Sequence, residues 1–296
     1  MIQTAPAFTD HMVLQRDKNV AVFGTGTAGE SVRVSLPAQN RTVSGCVGGD
    51  GTWCVYLPTL TAGIGMTLEV AGAENQLVYT DVAVGEVWLA GGQSNMEFML
   101  KDAKGGAEAL QHCAESGVRC FRVPRNTFPD AAYAQEFAES RWELATPETA
   151  GVWSAVAYWA AQELAQRLGV PVGIVGCNYG GSSVSCWMPE EDLVSEFQVY
   201  IDLKDKTRGM DLEKEFETFK KRRADELSPE QCERLDLLME KSNCRATASD
   251  EPYAGNGSFY GIEICSVFCF LCRKSVSDDA EKDCSIYLRR SDLVSG

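Results

Sequence analysis

The residues best suited to chemistry lie in Gly85–Phe98, GEVWLAGGQSNMEF. Val84, Val87, Trp88, Leu89 and Ala90 form a short apolar run of the kind that fills a buried parallel strand. Gly91 and Gly92 stop it, and Asn95 to Leu100 read as the first turns of a helix, which predicts Ser94 at a sharp strand-to-helix corner. A serine at such a corner has backbone N–H groups and the positive end of a helix beside it. There a hydroxyl can attack an ester carbonyl and the oxyanion that forms is stabilised. Ser-Asn-Met-Glu equally fits a capping box, with Ser94 as the N-cap and Glu97 as its partner three residues on. The residues alone fit both.

The surrounding pattern predicts the elements that must hold this corner. From Phe8 to about Thr80 the chain reads as all-β: NVAVFGTGTAGESVRVSL, GGDGTWCVYLP and GMTLEVAG alternate apolar and polar positions between glycine turns, which suggests a small N-terminal β-sandwich over residues 1–80. Beyond it the pattern becomes α/β. DVAVGEVWLAGG is a buried strand, SAVAYWAAQELAQRLG a helix capped by Ser154 and stopped by Gly169, and VPVGIVGCNYGG a second buried strand ending in glycines. Strand, helix, strand at that spacing is the parallel α/β pattern. A charge-rich stretch at 204–241, with a second start at Ser228-Pro229-Glu230-Gln231, reads as a solvated helical hairpin closing a domain of residues 81–245. Residues 246–296 do not continue the alternation and are left unassigned as an aberrant tail.

At 296 residues the chain is long enough to bury a full core, and its net charge of −15 argues against a nucleic-acid ligand, because phosphate binding needs a surplus of lysine and arginine. A neutral or small-molecule substrate fits that balance better. No apolar run approaches the roughly 20 residues needed to cross a bilayer, so no membrane insertion is expected, and MIQTAPAFTD shows no signal peptide. Twelve cysteines leave disulfides open, with Cys46 and Cys54, or Cys113 and Cys120, spaced for hairpin or loop bridges. Asn40 and Asn256 begin glycosylation sequons that matter only if the chain is secreted. Cys265, Cys269 and Cys272 have a metal-like spacing but apolar surroundings and no clear fourth ligand, so no metal site is assigned.

Five blocks taken together, FTDHMVLQRDKNVAVFGTGTAGESVRV, DGTWCVYLPTLTAG, VAVGEVWLAGGQSNMEF, WSAVAYWAAQEL and VPVGIVGCNYGGSSVSCWMP, resemble the sialate O-acetylesterases of the SGNH hydrolase superfamily. The resemblance runs from Phe8 to Pro189. It implies a flavodoxin-like parallel sheet core, here incomplete, preceded by the small sandwich. It implies Ser94 as nucleophile, an oxyanion hole built from the N–H of Ser94 with Gly180 and Gly181, and Gln93 and Asn95 near the substrate. Trp187 matches the tryptophan that follows the glycine block, with packing as its role. The implied substrate is an O-acetylated sugar, sialic acid or a related glycan, deacetylated through an acyl-enzyme without cofactor or metal. The implied location is lysosomal or extracellular, or cytoplasmic if the N-terminus as it stands is complete.

The chain departs from the family in one respect. The general base comes from an Asp-x-x-His near the family's C-terminus, and a further oxyanion donor from a Trp-Tyr-Gln-Gly-Glu block; neither is present. Two histidines occur, His11 in the expected sandwich and His112 at a helix end, and only His112 offers itself as an improvised base. Without the base, turnover falls by on the order of 10⁶. The expectation is therefore a truncated, weakly active or inactive esterase, with a non-catalytic glycan-binding relative as the alternative.

Overall fold

The computed structural model describes residues 1–125, 131–182, 184–188, 198 and 202. The hairpin expected at 204–241, the tail at 246–296, the Asn256 sequon and Cys265, Cys269 and Cys272 lie outside the described residues. Strands β1 (Gln3–Thr4), β2 (Val13–Gln15), β3 (Val20–Thr25), β4 (Ser31–Leu36), β5 (Arg41–Cys46), β6 (Thr52–Leu57) and β7 (Gly63–Ala71) lead into the long strand β8 (Gln76–Gly92). Then follow α1 (Ser94–Glu97), α2 (Gly106–Gln111), β9 (Val118–Arg122), α3 (Ala131–Glu139), β10 (Trp142–Leu144), α4 (Pro147–Ala150), α5 (Ala155–Leu168) and β11 (Val172–Asn178). The architecture is mixed α/β.

Two sheets form. One is antiparallel with the order β1-β3-β6; the other is mixed, with the order β10-β9-β11-β8-β7-β4-β5 and β2 alongside β8. In the second sheet β9, β11 and the end of β8 run parallel, while β8, β7, β4 and β5 are antiparallel. Alternation decides the faces of the antiparallel part. In β4, Val32, Val34 and Leu36 are buried while Ser31 and Arg33 are exposed, and in β6 Trp53, Val55 and Leu57 point inward. These side chains and those of β3 and β7 share one apolar cluster, so the two sheets close on each other. β11, by contrast, is buried at six successive positions, as a parallel strand covered on both faces must be.

Helix α5 forms as the sequence predicts. Ser154 Oγ accepts from the Ala157 N–H at 3.2 Å, and Gly169 ends the helix at φ +66°. Its buried face carries Ala157, Ala161 and Ala165, small enough for the helix to lie close over the sheet beside Tyr158 and Trp153.

Four features differ from the sequence-based expectation or add to it. The helix after Ser94 lasts a single turn, because Phe98 leaves helical geometry and Leu100 N–H donates to Trp153 O at 2.9 Å while Ala155 N–H donates to Phe98 O at 2.8 Å. That pairing buries Leu100 completely and outweighs the local helical preference. Strand β9 was not foreseen; its alternation is interrupted by the buried Arg119. Cys46, Cys54, Cys113, Cys120 and Cys177 form no disulfide, so neither suggested bridge exists here. Strand β8 runs unbroken for 17 residues and links the N-terminal strands to the parallel ones.

A polar clamp sits where β8 changes partners. Asp81 and His11 both have positive φ, +50° and +65°. Arg119 reaches them from β9: its Nη1 donates to His11 O at 3.0 Å and to Asp81 O at 2.5 Å, and its Nη2 to Asp81 Oδ1 at 3.1 Å. Asp81 Oδ2 lies 2.7 Å from His11 Nδ1. One guanidinium thus satisfies two backbone carbonyls in unusual conformations and ties the N-terminal sheets to the parallel strands. Nearby, β8 leaves no room at Gly85, where an added Cβ would lie 1.9 Å from Pro171 O.

Removing the clamp cation in Arg119→Met leaves those two carbonyls without their donor and Asp81 with His11 as its remaining partner, and is expected to cost about 2–4 kcal/mol in urea unfolding followed by tryptophan fluorescence. Gly85→Ala is expected to cost about 2 kcal/mol or more in the same assay, because the clash is with backbone. Partial burial pushes the Asp81 carboxyl up, and the His11 hydrogen bond with the Arg119 charge outweighs it, so the group titrates below its ordinary value. A lowered native value contributes stability above the ordinary carboxylate range, and that stability is lost as pH falls through the native value. Asp81→Asn should therefore flatten the fall of Tm below about pH 4.

Candidate active site

The register of two parallel strands builds the site. β8 and β11 pair from Glu86 with Val172 to Gly92 with Asn178, so both strands end at the same level. Ligands of open α/β sheets bind at such carboxyl ends. From there β8 enters the serine turn and β11 enters Tyr179-Gly180-Gly181-Ser182. Tyr179 N–H donates to Gly92 O at 2.9 Å, which continues the pairing by one residue. Gly181 has φ +80° and Ser182 N–H donates back to Tyr179 O at 3.4 Å, the geometry of a type II turn that requires glycine at its third position.

Ser94 is exposed and is the first residue of α1. The N-cap is Gln93, whose Oε1 accepts from both Ser94 N–H at 3.0 Å and Ser94 Oγ at 2.5 Å. The capping box expected between Ser94 and Glu97 is therefore absent. Glu97 instead crosses to the second turn: its Oε2 accepts from the Gly180 N–H, and its Oε1 pairs with Arg125 Nη1. Two residues 83 positions apart meet there, a contact no local pattern in the sequence could announce. The N–H of Gly180, expected in the oxyanion hole, is thus held by a carboxylate. Among the described residues nothing accepts from the Gly181 N–H.

Close approach explains the glycine at position 180. A Cβ there would lie 2.6 Å from Glu97 Oε2 and 3.7 Å from Ser94 Cα, so the second turn packs directly against the first. Trp187 braces the turn from behind, with its Nε1–H donating to Ser182 Oγ at 3.0 Å and its ring facing Gly91. Gln93 and Asn95 are exposed on either side of Ser94.

Neither histidine is hydrogen-bonded to Ser94. His11 belongs to the clamp with Asp81, and His112 is exposed between α2 and the turn Cys113–Glu115. A cavity of about 1140 Å³ is lined by Glu97 and Gly180 together with Arg125, Asn178 and Tyr179. Its lining also includes Arg122, which holds Glu143 by two hydrogen bonds of 3.1 and 2.9 Å, and Trp153, whose Nε1–H donates to the same carboxylate at 2.8 Å. Among the described residues no group of three His, Cys, Asp or Glu side chains converges as a metal site would require, and no helix is long and apolar enough to cross a membrane.

No protein-family model matches the chain. It is 30% identical to the sialate O-acetylesterase of Rattus norvegicus over 195 residues, 60% of this chain and 36% of that protein. Similarity to the Homo sapiens sialate O-acetylesterase is 26% over 198 residues, 62% of this chain and 38% of that protein. A crystal structure of a carbohydrate acetylesterase from Xanthomonas citri superposes with a TM-score of 0.59 at 35% identity, covering 65% of this chain and 44% of that one. The chain therefore spans less than half the length of the proteins it matches. A serine turn and a glycine turn lie side by side at the ends of parallel strands, and the similarity to these proteins supports a sialate O-acetylesterase-like family.

Proposed function

We propose that the chain carries the nucleophile side of a carbohydrate O-acetylesterase, a serine hydrolase that removes acetyl groups from sugar hydroxyls. The observation that carries this is the placement of an exposed Ser94 on the first turn after β8, packed against the glycine turn after β11. The similarity to carbohydrate acetylesterases supports an acetylated sugar, such as an O-acetylated sialic acid, as substrate. We infer further that the N-terminal sheets are the small β-sandwich and the parallel strands the core of an SGNH-type fold, divided near residue 80.

Ser94 Oγ attacks the acetyl carbonyl carbon, and its proton passes to a base. The oxyanion is held by backbone N–H groups, Ser94 N–H on one side and the glycine turn on the other. Collapse of the tetrahedral intermediate releases the sugar hydroxyl with that proton and leaves acetyl-Ser94. Water then attacks the acetyl-enzyme, acetate leaves and the serine is restored. Gln93 and Asn95 flank the nucleophile and contact the sugar. In the described structure the Ser94 hydroxyl is bonded to Gln93 Oε1, so Gln93 must turn away before the proton can be taken. No metal or cofactor enters the scheme.

The family's histidine has no counterpart in the chain, and the base is the step for which it provides least. An unassisted serine leaves turnover lower by on the order of 10⁶ than a complete triad gives, with the oxyanion hole and binding as the residue of catalysis. That same bond to Gln93 favours a second function, a glycan-binding relative that keeps the pocket without the chemistry.

Acetate release from an O-acetylated sialoside and from a small aryl acetate separates the two. For the esterase, slow release is expected that vanishes in Ser94→Ala and persists in His112→Ala. Sialoside binding without any release, unchanged in Ser94→Ala, would replace it with the glycan-binding function.

A further inference from the structure

We infer that Glu97 is a positioning residue of the acyl-transfer site, one that locks the glycine turn against the serine turn and leaves the Gly181 N–H as that turn's oxyanion donor. The inference rests on the function proposed above for Ser94. Glu97 stands on the last position of α1, three residues after Ser94, and its two carboxylate oxygens are both engaged: one by the Gly180 N–H, the other by Arg125. A backbone N–H bound to a carboxylate is held more firmly than one bound to a neutral acceptor, and the arginine fixes the carboxylate in turn. The glycine turn also meets the serine side through the Tyr179 N–H to Gly92 O bond at its start, through Trp187, which bonds Ser182 and faces Gly91, and through the close approach of Gly180 to the serine turn.

The consequence for the oxyanion hole is geometric. In the type II turn Tyr179–Ser182, the N–H groups of Gly180 and Gly181 are the two not used to close the turn. With Gly180 committed to Glu97, Gly181 is the remaining donor, exposed and without an acceptor among the described residues. Holding Gly180 therefore sets the direction of the next N–H. A donor misplaced by about 1 Å loses on the order of a hundredfold in rate. Glu97 itself touches neither the reacting carbonyl nor the nucleophile's oxygen.

Two measurements on the 296-residue chain, compared among wild type, Glu97→Ala, Glu97→Gln and Ser94→Ala, test this. In [¹⁵N]glycine-labelled protein the Gly180 amide proton should lie downfield, move upfield in Glu97→Ala and fall between in Glu97→Gln, which keeps an acceptor but loses the charge facing Arg125. Phosphonylation of Ser94 by a fluorophosphonate should slow by about tenfold to a hundredfold in Glu97→Ala and recover in part in Glu97→Gln. An unmoved Gly180 resonance overturns the inference, as does a Ser94-dependent labelling rate that is equal in wild type and Glu97→Ala. If wild type is not labelled at Ser94 at all, the nucleophile assignment fails instead, and the Gly180 resonance alone decides whether Glu97 holds the turn.

Discussion

A strand that belongs to two sheets' worth of partners fixes the direction of both its ends. β8 pairs with β7 along its first half and with β11 along its second, over 17 continuous residues. Its early side chains lie in the core shared by the N-terminal sheets, and its last residues deliver Gly91, Gly92 and Ser94 to the ends of the parallel strands. Neither half can shift register without moving the other, since a slip of one residue would turn every side chain to the opposite face. The serine turn is therefore placed by packing that happens far from it.

The change of partners has a physical cost, and the Arg119 clamp offsets it. Asp81 and His11 adopt left-handed backbone conformations at the point of change, and their carbonyls turn toward β9 rather than into a ladder. A buried guanidinium with a fixed fork of donors suits such a place better than an ammonium would, because it reaches both carbonyls and the carboxylate together. His11, one of two histidines and so an obvious candidate for chemistry, is occupied there by structure. The site then resolves into two turns on neighbouring strands, bound to each other by one backbone hydrogen bond, by the absence of a side chain at Gly180 and by the carboxylate of Glu97.

Much of this was legible in the sequence, because it depends on local pattern. Alternation marked β3, β4, β6 and β7; apolar runs ending in glycine pairs marked β11 and the end of β8; Ser154 and Gly169 marked both ends of α5. The corner at Ser94 and the glycines at 180 and 181 were visible from residue type alone. What failed were the local inferences that distant contacts overrule. The helix after Ser94 stops because residues 98–101 pair with 151–155, Glu97 leaves its own helix start for Gly180, and β9 hides its strand character behind Arg119.

The sequence by itself determined which residue types stand at the turns and which faces of the strands are apolar, since both follow from neighbours within a few positions. Only the tertiary structure decided that β8 serves both halves, that Arg119 meets His11 and Asp81, and that Glu97 rather than Ser94 links the two turns. These are contacts between segments from 38 to 108 residues apart, and their stability comes from burying charge and backbone polar groups against one another, which no local periodicity records.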